Sequence, residues 1–248
     1  CLRLLSALCL AALLAACASS PSSSLGELPR TPDASIEQLL EQATSAKTPE
    51  KAALLRLSAA DLAYHQNNPG RSAQILAQVP LEALKPAAQV FASTLAAELA
   101  MTRNQPKAAL TALSHPSLQS LKDLPAEQQI RTGTVHARAY EADGQTLAAA
   151  RERVAMASLL SGDAAHANHD AIWALIAALP AEQLQASGNP ILDGWITLAQ
   201  SVKSAGTLEQ QQAAIDTWRA QNPNHPAALQ LPTPLTKLKE LASQPLNK

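Results

Sequence analysis

Thiols, aromatic rings, glycine and any surplus of one charge are scarce in this chain, and each scarcity excludes a chemistry. The three cysteines, Cys1, Cys9 and Cys17, fall within the first 17 of 248 residues. Beyond them no side chain can form a disulfide, act as a thiolate nucleophile or join a zinc–sulfur cage. Aromatic residues make up 2% of the sequence, and the eight glycines include no phosphate-cradling loop and no Gly-x-Ser-x-Gly elbow. Nineteen basic residues against 20 acidic ones leave a net charge of −1 with no basic block, which argues against a nucleic-acid partner. The apolar run of residues 4–16 is shorter than the roughly 20 residues that span a bilayer.

What is present starts with that short run. Arg3 is the sole charge before Glu27, residues 4–16 are almost entirely Leu and Ala, and small residues close the run. This is the layout of a secretory signal peptide, assigned to residues 1–16. The chain opens on Cys1 instead of Met, so we expect at least one residue to precede it. The tetrapeptide Leu14-Ala15-Ala16-Cys17 resembles the bacterial lipobox. That resemblance implies cleavage before Cys17, a diacylglycerol on its sulfur and an acyl group on its new amino terminus. Stable anchoring takes two or more chains, and a triacylated Cys17 meets that requirement. Ala18 stands where an inner-membrane retention signal would place Asp, so the expected address is the periplasmic face of the outer membrane. Residues 17–34 then read as the lipidated cysteine and a flexible Ser/Pro-rich linker.

From Ser35 the pattern is helical. Leu84, Ala88, Phe91, Leu95 and Leu99 form one apolar stripe at steps of three and four. Ile172, Leu175, Ile176 and Leu179 repeat the spacing, as do Ile191, Trp195, Leu198 and Val202. Ser35 with Gln38, and Thr207 with Gln210, have the form of capping boxes. Thr48-Pro49 and Asn189-Pro190 place a capping residue before a proline at the first helical position. No alternating run suggests a strand, so the expected class is all-α. Three triplets share their offsets: Tyr64, Asn68, Ala73; Ala100, Asn104, Ala109; Tyr140, Gly144, Ala149. Their spacing is close to the 34-residue tetratricopeptide period. Residues 35–222 are therefore expected to form an irregular tetratricopeptide-like solenoid, with Ala199, Gly206 and Trp218 as a degenerate last unit. Residues 223–248 read as a Pro-rich tail leading to a missing C-terminal domain.

Candidate chemistry is thin. His166 and His169 lie three apart with Asp163 and Asp170 nearby, but no third metal ligand can be nominated. A solvated helix start capped by Asp163 explains them better. The other histidines, His65, His115, His136 and His225, are isolated in the sequence. Glu98 is the most enclosed acid expected, and a lone acid is not a catalytic pair. Trp173, Trp195 and Trp218 continue helical stripes and suit core packing. The site assigned is Cys17, for lipid attachment; no catalytic residue, metal or cofactor is expected.

The lipobox, the short tether, the irregular helical repeats and the closing segment of residues 216–241 together resemble the N-terminal part of the LpoA family. The most specific part is Pro223-Asn224-His225-Pro226-Ala227 followed by Leu231-Pro232. Members of that family are outer-membrane lipoproteins that activate class A penicillin-binding proteins. The resemblance implies a regulator of peptidoglycan synthesis and not an enzyme. Its synthase contact would lie mainly in a further C-terminal domain, with this part as anchor and helical spacer and peptidoglycan as a further candidate partner. Two other readings are a superhelical cell-wall hydrolase of the lytic transglycosylase type and a helical adaptor of an outer-membrane assembly machine.

Overall fold

A computed structural model describes residues 24–30 and 33–244. Twelve α-helices occupy the described residues, which contain no strand. The first five are α1 (Ile36–Thr44), α2 (Pro49–His65), α3 (Pro69–Leu76), α4 (Pro86–Thr102) and α5 (Pro106–Ala112). After a 3-10 segment, Pro116–Asp123, come α6 (Ala126–Ala142), α7 (Thr146–Met156), α8 (Gly162–Ala177) and α9 (Pro190–Lys203). The array closes with α10 (Leu208–Gln221), α11 (Pro226–Leu229) and α12 (Thr233–Ser243).

The helix starts follow from the sequence. Both capping boxes form: the Ser35 hydroxyl accepts from the Gln38 N–H at 3.2 Å while the Gln38 side-chain Oε1 accepts from the Ser35 N–H at 2.9 Å. Thr207 and Gln210 make the same exchange. Thr48 and Asn189 cap helices whose first residue is proline. The stripe from Leu84 needs adjustment, because α4 begins only at Pro86 and Leu84 is buried at the end of a preceding 3-10 turn. Nor is α4 apolar on one side alone. Eleven of its residues are buried, which marks a helix surrounded by others.

The repeat is present, with its first unit in a different register. Asn67, Asn104 and Gly144 have positive φ (59°, 54° and 77°) and turn the chain between α2 and α3, α4 and α5, and α6 and α7. At each turn the following N–H reaches back five residues: Asn68 to the Ala63 carbonyl, Gln105 to Ala100 and Gln145 to Tyr140. Such a left-handed turn residue with its long return bond is a helix C-terminal motif that favours Gly and Asn. The equivalent triplets are therefore Ala63–Asn67–Ser72, Ala100–Asn104–Ala109 and Tyr140–Gly144–Ala149. Ser72, Ala109 and Ala149 are all fully buried at the close approach of the second helix, whereas Ala73 is half-buried. Asn68, the turn residue expected from the sequence, instead caps α3 by accepting from the Arg71 N–H.

Helix packing extends beyond residues 35–222 at both ends. Residues 24–30, expected as linker, lie against the body. The Leu25 carbonyl accepts from the Ala87 N–H at 2.8 Å, and Leu25 and Leu28 pack on Val90 and Leu124. The cause is local, since Lys85 offers no side-chain cap to α4 and its first-turn donors need acceptors from elsewhere. The expected tail carries α11 and α12, which bury Ala227, Ala228 and Leu235 in the core of the second half. Its prolines act as helix starters: Pro226 opens α11, and Pro234 lies in the first turn of α12.

Candidate binding cleft and aromatic clasp

A cleft of about 640 Å³ is bordered by α2, α4, the start of α6 and the N-terminal segment. Its walls include Leu28, Pro29, Leu62, Phe91 and Pro125, and its polar lining includes Asp61, Glu127, Gln128 and Arg131. Arg131 ties three helices together. Its Nε and Nη2 donate to Glu98 at 2.7–3.3 Å, and Nη2 also donates to Asp61 at 2.7 Å. The guanidinium lies over the Phe91 ring, 4.9 Å from its centroid. Burial by itself would lower the Arg131 pKa, but the two carboxylates outweigh it and hold the cation firmly protonated. Burial pushes the Glu98 carboxyl up against the opposing pull of Arg131. The forked, short contacts are those of a charged pair, so Glu98 is ionised at neutral pH. The enclosed Glu98 is thus not a lone acid; Asp61 shares its cation.

A chain of hydroxyls fixes the neighbouring glutamine. The Thr94 hydroxyl donates to the Val90 carbonyl at 2.8 Å and lies 2.8 Å from the Thr132 hydroxyl, which must then be the donor between them. Thr132 in turn accepts from Gln128 Nε2 at 3.0 Å. This relay orients the Gln128 amide. Its carbonyl oxygen has no hydrogen-bond partner among the described residues, although the side chain is 95% buried and borders the cleft.

The His/Asp constellation makes tertiary contacts, and Asp163 is not the cap of its helix. Asp163 lies inside α8, whose N-cap is Ser161. His169 is buried, with Nδ1 3.1 Å from the Gln230 carbonyl and its ring edge-on to Trp195. The Gln230 side-chain amide contacts His166, and Asp170 accepts from the Thr233 N–H at 2.7 Å. The group clasps α8 to the segment before α12. Among the described residues no three His, Cys, Asp or Glu side chains gather around a possible metal position.

His225, isolated in the sequence, sits at the centre of this second half. Its Nδ1 accepts from the Ala227 N–H at 3.1 Å, which caps α11 and assigns the ring proton to Nε2. Nε2 then donates to the Ile191 carbonyl at 2.7 Å. Trp195 and Trp218 stand edge-on to the ring, with centroids 5.7 and 5.1 Å away. Gly194 makes this seat possible, because a Cβ there would overlap the His225 ring. Trp195 and Trp218 are buried core residues, and Trp173 is buried beside them. Cys17 lies outside the described residues.

Sequence alone could place none of the cleft's polar groups. Arg131 is 33 residues from Glu98 and 70 from Asp61, and no motif links them. The Thr94–Thr132–Gln128 relay spans a similar distance, and its only local trace is the Gln128–Thr132 spacing of four.

Comparison with known proteins places this architecture. The chain is 29% identical over 251 residues to the penicillin-binding protein activator LpoA of Vibrio cholerae, covering 95% of this chain and 40% of that protein. It is 34% identical over 129 residues to the activator of the same name from Histophilus somni. The chain thus spans about 40% of the length of the first curated relatives it matches. Among solved structures, the amino-terminal domain of Escherichia coli LpoA superposes with a TM-score of 0.64 at 23% identity, covering 88% of this chain and 97% of that domain. Haemophilus influenzae LpoA gives 0.62 at 24% identity, with 88% of this chain matching 40% of that one. These identities speak for the fold. Residues 29–248 match the model of the LppC putative lipoprotein family, and the chain belongs to that family.

Proposed function

We propose that this chain is the anchor and helical spacer of an outer-membrane lipoprotein that activates a class A penicillin-binding protein. The observation that carries the reading is the match to penicillin-binding protein activators over 95% of this chain, together with the fold of the LpoA amino-terminal domain. It favours a regulator over a cell-wall hydrolase or a general assembly adaptor. Lipid on Cys17 holds one end at the periplasmic face of the outer membrane. Leu25, where the chain meets the helical body, is eight residue steps beyond Cys17, so the tether reaches at most about 29 Å when fully extended. The stacked helix pairs carry the contact onward, since neighbouring packed helices lie about 8–10 Å apart. A C-terminal domain beyond residue 248 makes the main contact with the synthase in this reading.

Lipid attachment is tested by Cys17→Ser. A hydroxyl cannot form the thioether, so the serine variant should be recovered soluble or uncleaved and without palmitate label. Label retained on that variant would end the lipoprotein reading. The spacer role is tested by glycan polymerisation and cross-linking with purified synthase. Stimulation by this chain equal to that of a full-length relative would make the helical body the activator.

A further inference from the structure

We propose that the cleft between α2, α4 and α6 binds a lysine-type primary ammonium. This goes beyond a spacer role and does not depend on the lipid anchor. The cleft's volume of about 640 Å³ is within the usual range for ligand sites. Its charges are already sorted in favour of a cation. Arg131 is shared by Glu98 and Asp61, so the triad keeps one net negative charge. Glu127, four residues before Arg131, adds a second carboxylate that makes no ion pair with it. Of the other basic groups of the lining, His65 lies on the Oδ1 side of Asp61, its Nδ1 3.4 Å from that oxygen, and Arg30 projects into solvent and pairs with Glu27 at 3.9 Å.

Three acceptors remain open at the cleft. Asp61 uses Oδ1 for Arg131, and its Oδ2 has no partner among the described residues. Gln128 has its amide oriented by the Thr132–Thr94 relay, which leaves its carbonyl oxygen free. Glu127 supplies a full carboxylate. An ammonium has three donors and no acceptor, which matches this set. Leu62, Phe91 and Pro125 give the aliphatic stem of such a side chain an apolar wall. A guanidinium is disfavoured, because Arg131 already occupies the Phe91 face on which a second one would stack.

The test is calorimetric titration of the purified protein with acetyl-Ala-Lys-Ala-amide, its Nε-acetyl-lysine form and the arginine counterpart. The lysine peptide should bind, and both others should bind about tenfold more weakly, the loss expected for one charge-assisted hydrogen bond. Added salt should weaken the lysine complex. Asp61→Asn and Gln128→Met should each lower its affinity about tenfold. Glu127→Gln, on an exposed side chain that makes no hydrogen bond or ion pair among the described residues, should lower it by a smaller factor and covers the case in which the other two substitutions unfold the protein. No binding of the lysine peptide would overturn the proposal. So would equal binding of the acetylated or arginine peptide, or a Glu127→Gln variant that binds as the parent does.

Discussion

The first and last thirds of this helical array are held together by different chemistry. Around α1 to α4 the core is alanine and leucine: Ala53, Leu57, Ala59, Ala60, Ala63, Ala88, Ala92 and Leu95 are almost wholly buried. Small side chains let consecutive helices approach closely, and most of these contacts join neighbours in the chain. Around α8 to α12 the core contains all three tryptophans, with His169 and His225 set edge-on to Trp195. There the closing contacts are long-range: His225 to Ile191, His169 to Gln230 and Asp170 to Thr233. A stack of repeats needs a distinct end unit to close its exposed face. The aromatic clasp is that end, and it fixes α11 and α12 where the chain would otherwise leave the body.

The sharpest way to break the comparison is Trp195→Ala. The side chain is 1% exposed, and emptying that volume should cost about 3–5 kcal/mol. Hydrogen exchange should show lost protection in α8 to α12 while α1 to α3 keep theirs, because each repeat contacts only its neighbours. Uniform loss along the chain would mean that the two thirds form one cooperative unit.

A smaller effect tests the repeat register. Ser72→Phe and Ala149→Phe each push a large ring into a fully buried close approach and should cost about 1–3 kcal/mol. Ala73→Phe, one residue along, should cost clearly less because Ala73 is half-buried. Urea melts of the three variants decide the matter. Equal costs for Ala73 and Ser72 would restore the triplet that starts at Tyr64.

These expectations also mark where the sequence was legible. The all-helical class, both capping boxes and two of the three turn positions are local, and Asn104, Gly144 and the Ser35–Gln38 pair declare themselves within a few residues. The first turn was misplaced by one, because Asn67 and Asn68 are adjacent and either could take the left-handed turn. The helices of the tail are hidden in the sequence because proline breaks a helix in its interior yet opens one at its first turn. The cleft and the clasp were invisible for a different reason. Arg131 bonds carboxylates 33 and 70 residues away, the Thr94–Thr132 contact that fixes Gln128 joins positions 38 apart, and His225 reaches the Ile191 carbonyl 34 residues back; side-chain type does not reveal such pairings. His225 in particular looks like a turn residue until Gly194 and Ile191 are brought against it.

The smallest effect expected is a pH dependence that should also separate the regions. Burial holds the His225 imidazole below its ordinary value of 6.5, with His169 adding to the shift and the Ile191 carbonyl opposing it. His136, stacked on Tyr140 in α6, is also lowered by burial, with Glu152 pulling the other way. A histidine whose folded pKa is depressed takes up its proton more readily when unfolded. The unfolded state then binds more protons just below pH 6.5, so stability falls as the pH drops through that range and is unaffected above it. At His225 the structural reason is plain: Nδ1 is already an acceptor for the Ala227 N–H, and a proton there would set two donors against each other. His225→Asn keeps a capping oxygen for α11 but removes the titration. It should lower stability at every pH through lost packing against Trp195 and Trp218, while flattening the slope of Tm against pH below 6.5. His136→Gln in the same background should flatten the slope near pH 6 further, leaving what the shifted carboxylates contribute. An unchanged slope in His225→Asn would show that the clasp is not pH-sensitive and that the titrating group lies in the repeats.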